Sequence, residues 1–239
     1  EAMASGAIGL GSSTAEAHVG EGGLPVASRM ADKAEFLALT RAMAESGRGV
    51  FQATIGPKTT MEDLREIWRA SGRPVIWAAF FQRDDRPEYV PERLAATEAF
   101  HRDGVEVLPQ ISCRPLTMDF TMKNPYPFEG MPAWQQVMRE PESRWLGVYG
   151  DPGFRAALKA DLDARRFAVF RGRWDLVQVL RTSRPEHKAL EGASLADLAQ
   201  KTGKHPVDAW LDLVTADGLD VEFLAGLLNT DEKVVGDLI

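Results

Sequence analysis

The sequence predicts an α/β fold built on a parallel sheet, and three observations predict it. Apolar segments begin at Gly49, Pro74 and Val105, spaced by 25 and 31 residues, which is the rhythm of βαβ units. The stretches between them carry start and stop signals for helices. One segment, Pro74 to Phe81 (PVIWAAFF), is apolar without alternation, as strands buried on both faces are. A parallel sheet or barrel is therefore expected rather than a sandwich.

The elements follow in order. Ala7 to Leu10 is a short apolar strand that empties into a Gly/Ser/Thr-rich loop from Gly11 to Gly23. Ser28 offers an N-cap to a helix over Met30 to Ser46, with Phe36, Leu39 and Met43 inward and Gly47 as the stop. Gly49 to Ile55 (GVFQATI) is the next strand. Thr60 and Asp63 form an [ST]-x-x-[DE] start for a helix that turns Leu64, Ile67 and Trp68 toward a core and closes at Gly72. Pro91 opens a helix through His101, Gly104 ends it, and Val105 to Ile111 is the fourth strand, with Pro109 near its end.

Beyond Ser112 the rhythm breaks. Arg114 to Pro132 holds four prolines and no helical period, which reads as an excursion or lid. Asp151-Pro152 restarts a helix, Phe167 to Phe170 and Asp175 to Leu180 read as short strands, and Arg181 to Gly192 as a polar connection. Ser194 with Asp197 is a second capping pair closed by Gly203, and His205-Pro206 opens a helix with Ala209, Trp210, Leu213 and Val214 inward. The expected organisation is βα units over 1–111, a Pro-rich excursion over 112–150 and an α-rich continuation over 151–239.

Composition narrows the function classes. Hydrophobic residues make up 44% and charged residues 26% of 239, so a core is affordable and disorder is excluded. A single cysteine, Cys113, cannot pair within the chain and suits a reducing, cytoplasmic setting. The net charge of −7 and the lack of a basic cluster argue against a nucleic-acid partner. No run approaches the roughly 20 apolar residues of a bilayer span, so no membrane partner is expected. The sequence opens without Met and closes inside an apparent helix, TDEKVVGDLI, which suggests a piece of a longer protein.

No metal motif is present: His18, His101, His187 and His205 form no H-x-H or H-E-x-x-H. His101, His187 and His205 read as helix-end or loop residues. His18 differs, because it follows a strand and a Ser/Thr loop, where α/β folds build sites. Ser12-Ser13-Thr14 lacks the lysine of a phosphate loop, and Ser13 with His18 lacks the G-x-S-x-G elbow of a hydrolase nucleophile. Gln52, Gln110 and Arg114 are polar groups on or just after apolar strands, where they need a partner or a ligand. Arg114 suits a carboxylate held bidentately. The substrate-binding candidates are therefore Ser13, His18, Gln52, Gln110 and Arg114, with no catalytic residue and no metal ligand assigned.

Several segments carry a resemblance to a known family. GAIGLGSSTAEAH, the following GLPVASR, AESGRGVFQ, SGRPVIW, VEVLPQISCRPL and EHKALEGASLADLAQKTGKHPVDAWLDL resemble the N-acyl-D-amino-acid deacylase branch of the amidohydrolase superfamily. The resemblance implies a zinc-dependent TIM-barrel hydrolase of amide C–N bonds, of which this chain is a central segment carrying roughly the fourth to seventh strands. It also implies zinc ligands outside the chain and a histidine after each of two middle strands. Thr54 and Ala79 stand at those positions, and neither substitutes for an imidazole. The chain alone is expected to be inactive. The alternative is a metal-free barrel that binds a small molecule or serves as a scaffold. A homo-oligomer is an expected assembly, since an open barrel segment exposes strand edges.

Overall fold

The structure, a computed structural model, describes residues 1–16, 18, 20, 24–164 and 169–239. It divides into two compact units, residues 1–114 with 231–239, and residues 115–230.

The first unit is a run of βα repeats: β1 (Gly9–Ser13), α1 (Lys33–Ala44), β2 (Val50–Thr54), α2 (Met61–Ser71), β3 (Val75–Ala78), α3 (Tyr89–Arg102) and β4 (Val107–Pro109). The four strands are parallel in the order β1-β2-β3-β4. Register aligns Ser13 with Thr54 and Thr54 with Ala78, so one residue row crosses three strands at their carboxyl ends. Among the described residues the sheet is open, and the barrel implied by the resemblance does not close. The expectation for PVIWAAFF is also corrected: Val75 and Trp77 are fully buried, while Ile76 and Ala78 are only half-buried. Alternation puts Phe51, Ala53, Val75, Trp77 and Val107 on one buried face, with Gln52, Thr54 and Ile76 on the other.

Local chemistry explains where these elements begin and end. At α2, Thr60 Oγ1 accepts from the Asp63 N–H and the Asp63 carboxylate accepts from the Thr60 N–H, closing a capping box; Gly72 ends the helix at φ 59°. At α1 the cap is Asp32 rather than Ser28, because the Asp32 carboxylate accepts from the Glu35 N–H. The inward stripe there is Phe36, Thr40 and Met43, whereas Leu39 is 44% exposed. Strand β1 lies later than Ala7 to Leu10 and takes in Ser12 and Ser13. Gly9 allows this, since a Cβ on it would stand 2.2 Å from the Val50 carbonyl oxygen of β2.

The second unit begins with β5 (Leu116–Thr121), where the sequence suggested an unstructured excursion, and continues through α4 (Tyr126–Glu129), α5 (Trp134–Val137), α6 (Trp145–Gly150) and α7 (Pro152–Asp163). Then come β6 (Val177–Arg181), α8 (Leu195–Thr202), α9 (Pro206–Asp217) and β7 (Glu222–Leu228). The three strands are antiparallel in the order β5-β7-β6, so the continuation is not purely α-rich. The expected strand over 167–170 falls partly outside the described residues. Phe128 anchors the core, with its ring 4.4 Å from Trp210 and 4.9 Å from Phe170. Such ring pairs add to the area buried by each aromatic side chain. A last short helix, α10 (Glu232–Gly236), belongs to the first unit and sets Val234 against its core, where Leu238 just after it also packs.

Candidate functional site

The carboxyl edge of the parallel sheet gathers the polar groups of the first unit. Ser13 ends β1 with only 9% of its surface exposed, and its Oγ lies 2.7 Å from Nδ1 of the exposed His18. The same Oγ donates to the Thr54 carbonyl at 3.4 Å and accepts from the Ala15 N–H at 3.2 Å. The next residue, Thr14, binds its backbone N–H to the Thr54 carbonyl at 2.8 Å. Its Oγ1 accepts from the Gly56 N–H at 2.8 Å and meets Thr59 Oγ1 at 2.6 Å. The loops after β1 and β2 are thus stitched together. Gly56 permits this, because a Cβ there would lie 2.1 Å from the Thr14 carbonyl oxygen.

Gln52 lies on the same face as Ser13 and one pleat back, with its amide oxygen 3.9 Å from where a Cβ on Gly11 would stand. Gln110 and Arg114 are at the other edge. Gln110 is exposed, and its backbone extends the β3–β4 pairing through N–H to Trp77 O (2.8 Å) and O to Phe80 N–H (3.1 Å). Arg114 is exposed in a turn where its N–H donates to Ser112 Oγ at 3.2 Å. Three strand spacings, about 14 Å, separate β1 from β4. Ser13 and His18 are therefore in contact, with Gln52 on the same face, while Gln110 and Arg114 lie at the far edge of the sheet.

The remaining histidines serve the fold. His187 Nδ1 lies 2.8 Å from the Asp217 carboxylate, whose side chain is fully buried. Burial would raise that carboxyl, but the Ser183 N–H, the His187 ring and the Arg184 N–H outweigh it and hold it below its ordinary range. His205 caps α9, with Nδ1 accepting from the Val207 N–H at 3.1 Å. His101 lies in the last turn of α3.

Zinc needs a set of nitrogen, sulfur or carboxylate donors. Thr54 and Ala78 fill the row at the strand ends, Ala79 follows, and among the described residues no three His, Cys, Asp or Glu side chains converge. The residues present do not fit zinc.

A cavity of about 260 Å³ opens on the opposite side of the sheet, between β2, α1 and α2. Arg29, Lys58 and Thr59 line its mouth and had no motif to mark them; the one local signal was the Gly/Ser/Thr-rich stretch expected over 11–23, which includes Thr14.

These features define a parallel α/β sheet carrying a polar site at its carboxyl edge. Neither a family profile nor a curated protein sequence matches the chain. Among solved structures it is similar to a D-aminoacylase described as defining a novel subset of amidohydrolases, at 17% identity and a TM-score of 0.44, over 99% of this chain and 37% of that one. It is also similar to N-acyl-D-glutamate deacylase from Bordetella bronchiseptica, complexed with zinc and a phosphonate inhibitor, at 15% identity and a TM-score of 0.38. That match covers 89% of this chain and 34% of the deacylase, so the chain spans about a third of the length of these structures. Among the described residues no helix is long and apolar enough to cross a membrane.

Proposed function

We propose that this chain is the substrate-holding part of an amidohydrolase-type enzyme that cleaves a non-peptide amide C–N bond, with N-acyl-D-amino acids or related amides as the substrate class. The observation that carries the reading is the contact of 2.7 Å between Ser13 and His18 at the carboxyl edge of a parallel sheet. Ligands of α/β folds bind at that edge. The substrate class rests on the sequence segments that resemble the deacylase branch.

The chemistry open to these residues is recognition. The Ser13 hydroxyl holds Nδ1 of His18, which leaves Nε2 of the exposed ring as the group that meets a substrate amide. Gln52 adds a donor–acceptor pair on the same face. Among the described residues His18 has no carboxylate to orient it, so the pair lacks the third member of a nucleophilic triad. The chain binds the amide and does not cleave it.

Titration of N-acetyl-D-glutamate and N-acetyl-D-methionine into the 239-residue chain, followed by amide NMR shifts, tests this. Saturable shifts at Ser13 and His18 are expected, and S13A and H18A should each weaken binding by about fivefold, as the loss of one hydrogen bond does. No acetate should be released, with or without added zinc. Absence of saturable binding, or zinc-dependent acetate release by this chain, would overturn the proposal.

A further inference from the structure

The cavity on the other side of the sheet is built differently from the Ser13 edge. Its floor is apolar: Phe36, Phe51, Ala53, Leu64 and Ile67, all buried core residues. Its polar mouth is formed by Arg29, Lys33, Lys58 and Asp63 beside Thr14 and Thr59. Lys33 is neutralised by Asp63 at 3.1 Å and Glu66 at 2.7 Å. Among the described residues Lys58 has no carboxylate partner, and the Arg29 guanidinium meets only the His18 carbonyl, at 3.1 Å. Arg29 and Lys58 therefore stand outside that ion-pair group, and the mouth keeps a net positive charge over an apolar pocket in a chain whose net charge is −7.

We propose that this cavity binds a small apolar carboxylate, tail inward against Phe36 and Ile67 and head between Arg29 and Lys58. Size sets the tail. A volume of about 260 Å³ is the liquid share of roughly eight or nine waters at ~30 Å³ each. That holds a chain of about six carbons with its carboxylate, and it falls short of the ~300 Å³ at which drug-sized sites begin. Charge sets the head. A neutral alcohol of the same length gains the apolar contact but leaves both cations facing water, whereas a carboxylate accepts from them through charge-assisted hydrogen bonds. The site lies on the opposite face from Ser13 and Gln52, with Thr14 and the Arg29–His18 contact bordering both, so Lys58, which touches neither, separates this inference from the function proposed above.

Hexanoate, 1-hexanol and acetate, titrated separately into the chain and followed by methyl and amide NMR, provide the test. Hexanoate should shift Thr14, Thr59, Leu64 and Ile67 saturably, with at least about tenfold higher affinity than either 1-hexanol or acetate, the order expected of one charge-assisted contact. K58E should weaken hexanoate by about tenfold and leave 1-hexanol unchanged. Lys58 is exposed, so the substitution leaves the core intact. R29Q, read alongside, removes the second cation and should act in the same direction. Shifts confined to other residues, equal affinity for hexanoate and 1-hexanol, or hexanoate binding indifferent to both substitutions would overturn the proposal. N-acetyl amino acid binding at Ser13 is a separate signal, so the failure of one reading is distinguishable from the failure of the other.

Discussion

Glu191 shows how single side chains fix the second unit. Its carboxylate accepts from Lys188 Nζ at 2.8 Å, from the Thr182 N–H at 2.7 Å and from Thr182 Oγ1 at 2.9 Å. Lys188 first, and then the Thr182 backbone and hydroxyl, pull its pKa down to about 2 from the usual 4.5. A carboxylate depressed on folding contributes stability that is complete above the unfolded value and is lost as the pH falls through the folded one. The wild type should therefore exceed E191Q in denaturation midpoint at neutral pH, and the gap should close between pH 4.5 and about 2. A gap that stays constant across that window would show that the contact does not form. At this scale much was legible in advance. Thr60 with Asp63 and Ser194 with Asp197 both close capping boxes, because such caps are made by residues three apart and need no distant partner. The Ser13–His18 contact lay within reach of the sequence for the same reason, being a separation of five residues.

Elements depend on partners that lie far along the chain, and there the sequence is a weaker guide. Three of the four parallel strands follow from apolar runs and their spacing, but β5 and β7 do not. LTMDFT lies in a proline-rich neighbourhood, and it becomes a strand through pairing with residues 222–228, about a hundred positions away. Likewise Gln110 and Arg114 look like neighbours of the site in sequence, yet the strand order places them at the opposite edge from Ser13. The stitched loops after β1 and β2 give a prediction at this scale. Replacing Gly56 by alanine would place a Cβ 2.1 Å from the Thr14 carbonyl oxygen, so the backbone of one loop must move. Overpacking of this kind costs about 1–3 kcal/mol. G56A should lower the thermal midpoint and weaken N-acetyl amino acid binding as Ser13 moves with Thr14. G56A with wild-type stability would show that the loops separate without cost.

For the whole molecule, the division into two units makes its own prediction. Residues 115–230 contain a complete antiparallel sheet and a buried aromatic cluster around Phe128, Trp134 and Trp210. Domains with their own core fold alone. The segment 115–230 expressed by itself should give a dispersed amide spectrum and a cooperative melt, and W210A should cost about 3–5 kcal/mol in it. A molten, undispersed spectrum would overturn this. The first unit should instead depend on both ends of its sequence, because Val234 and Leu238 of the last segment pack against its core. Deleting 231–239 should lower its stability while leaving the spectrum of 115–230 unchanged.

One pairing in the second unit reaches further. Leu116, one residue from its start, is the cross-strand partner of Leu228, two residues from its end. Once folded, this unit delivers its two ends about 5 Å apart. Unfolded, it is a tether of more than a hundred residues between Arg114 and Asp231. Shortening the effective loop to a few residues removes about five doublings of length, or about 3 kcal/mol of closure entropy. Folding of the inserted unit therefore lowers the entropic cost of returning α10 to the sheet of the first unit.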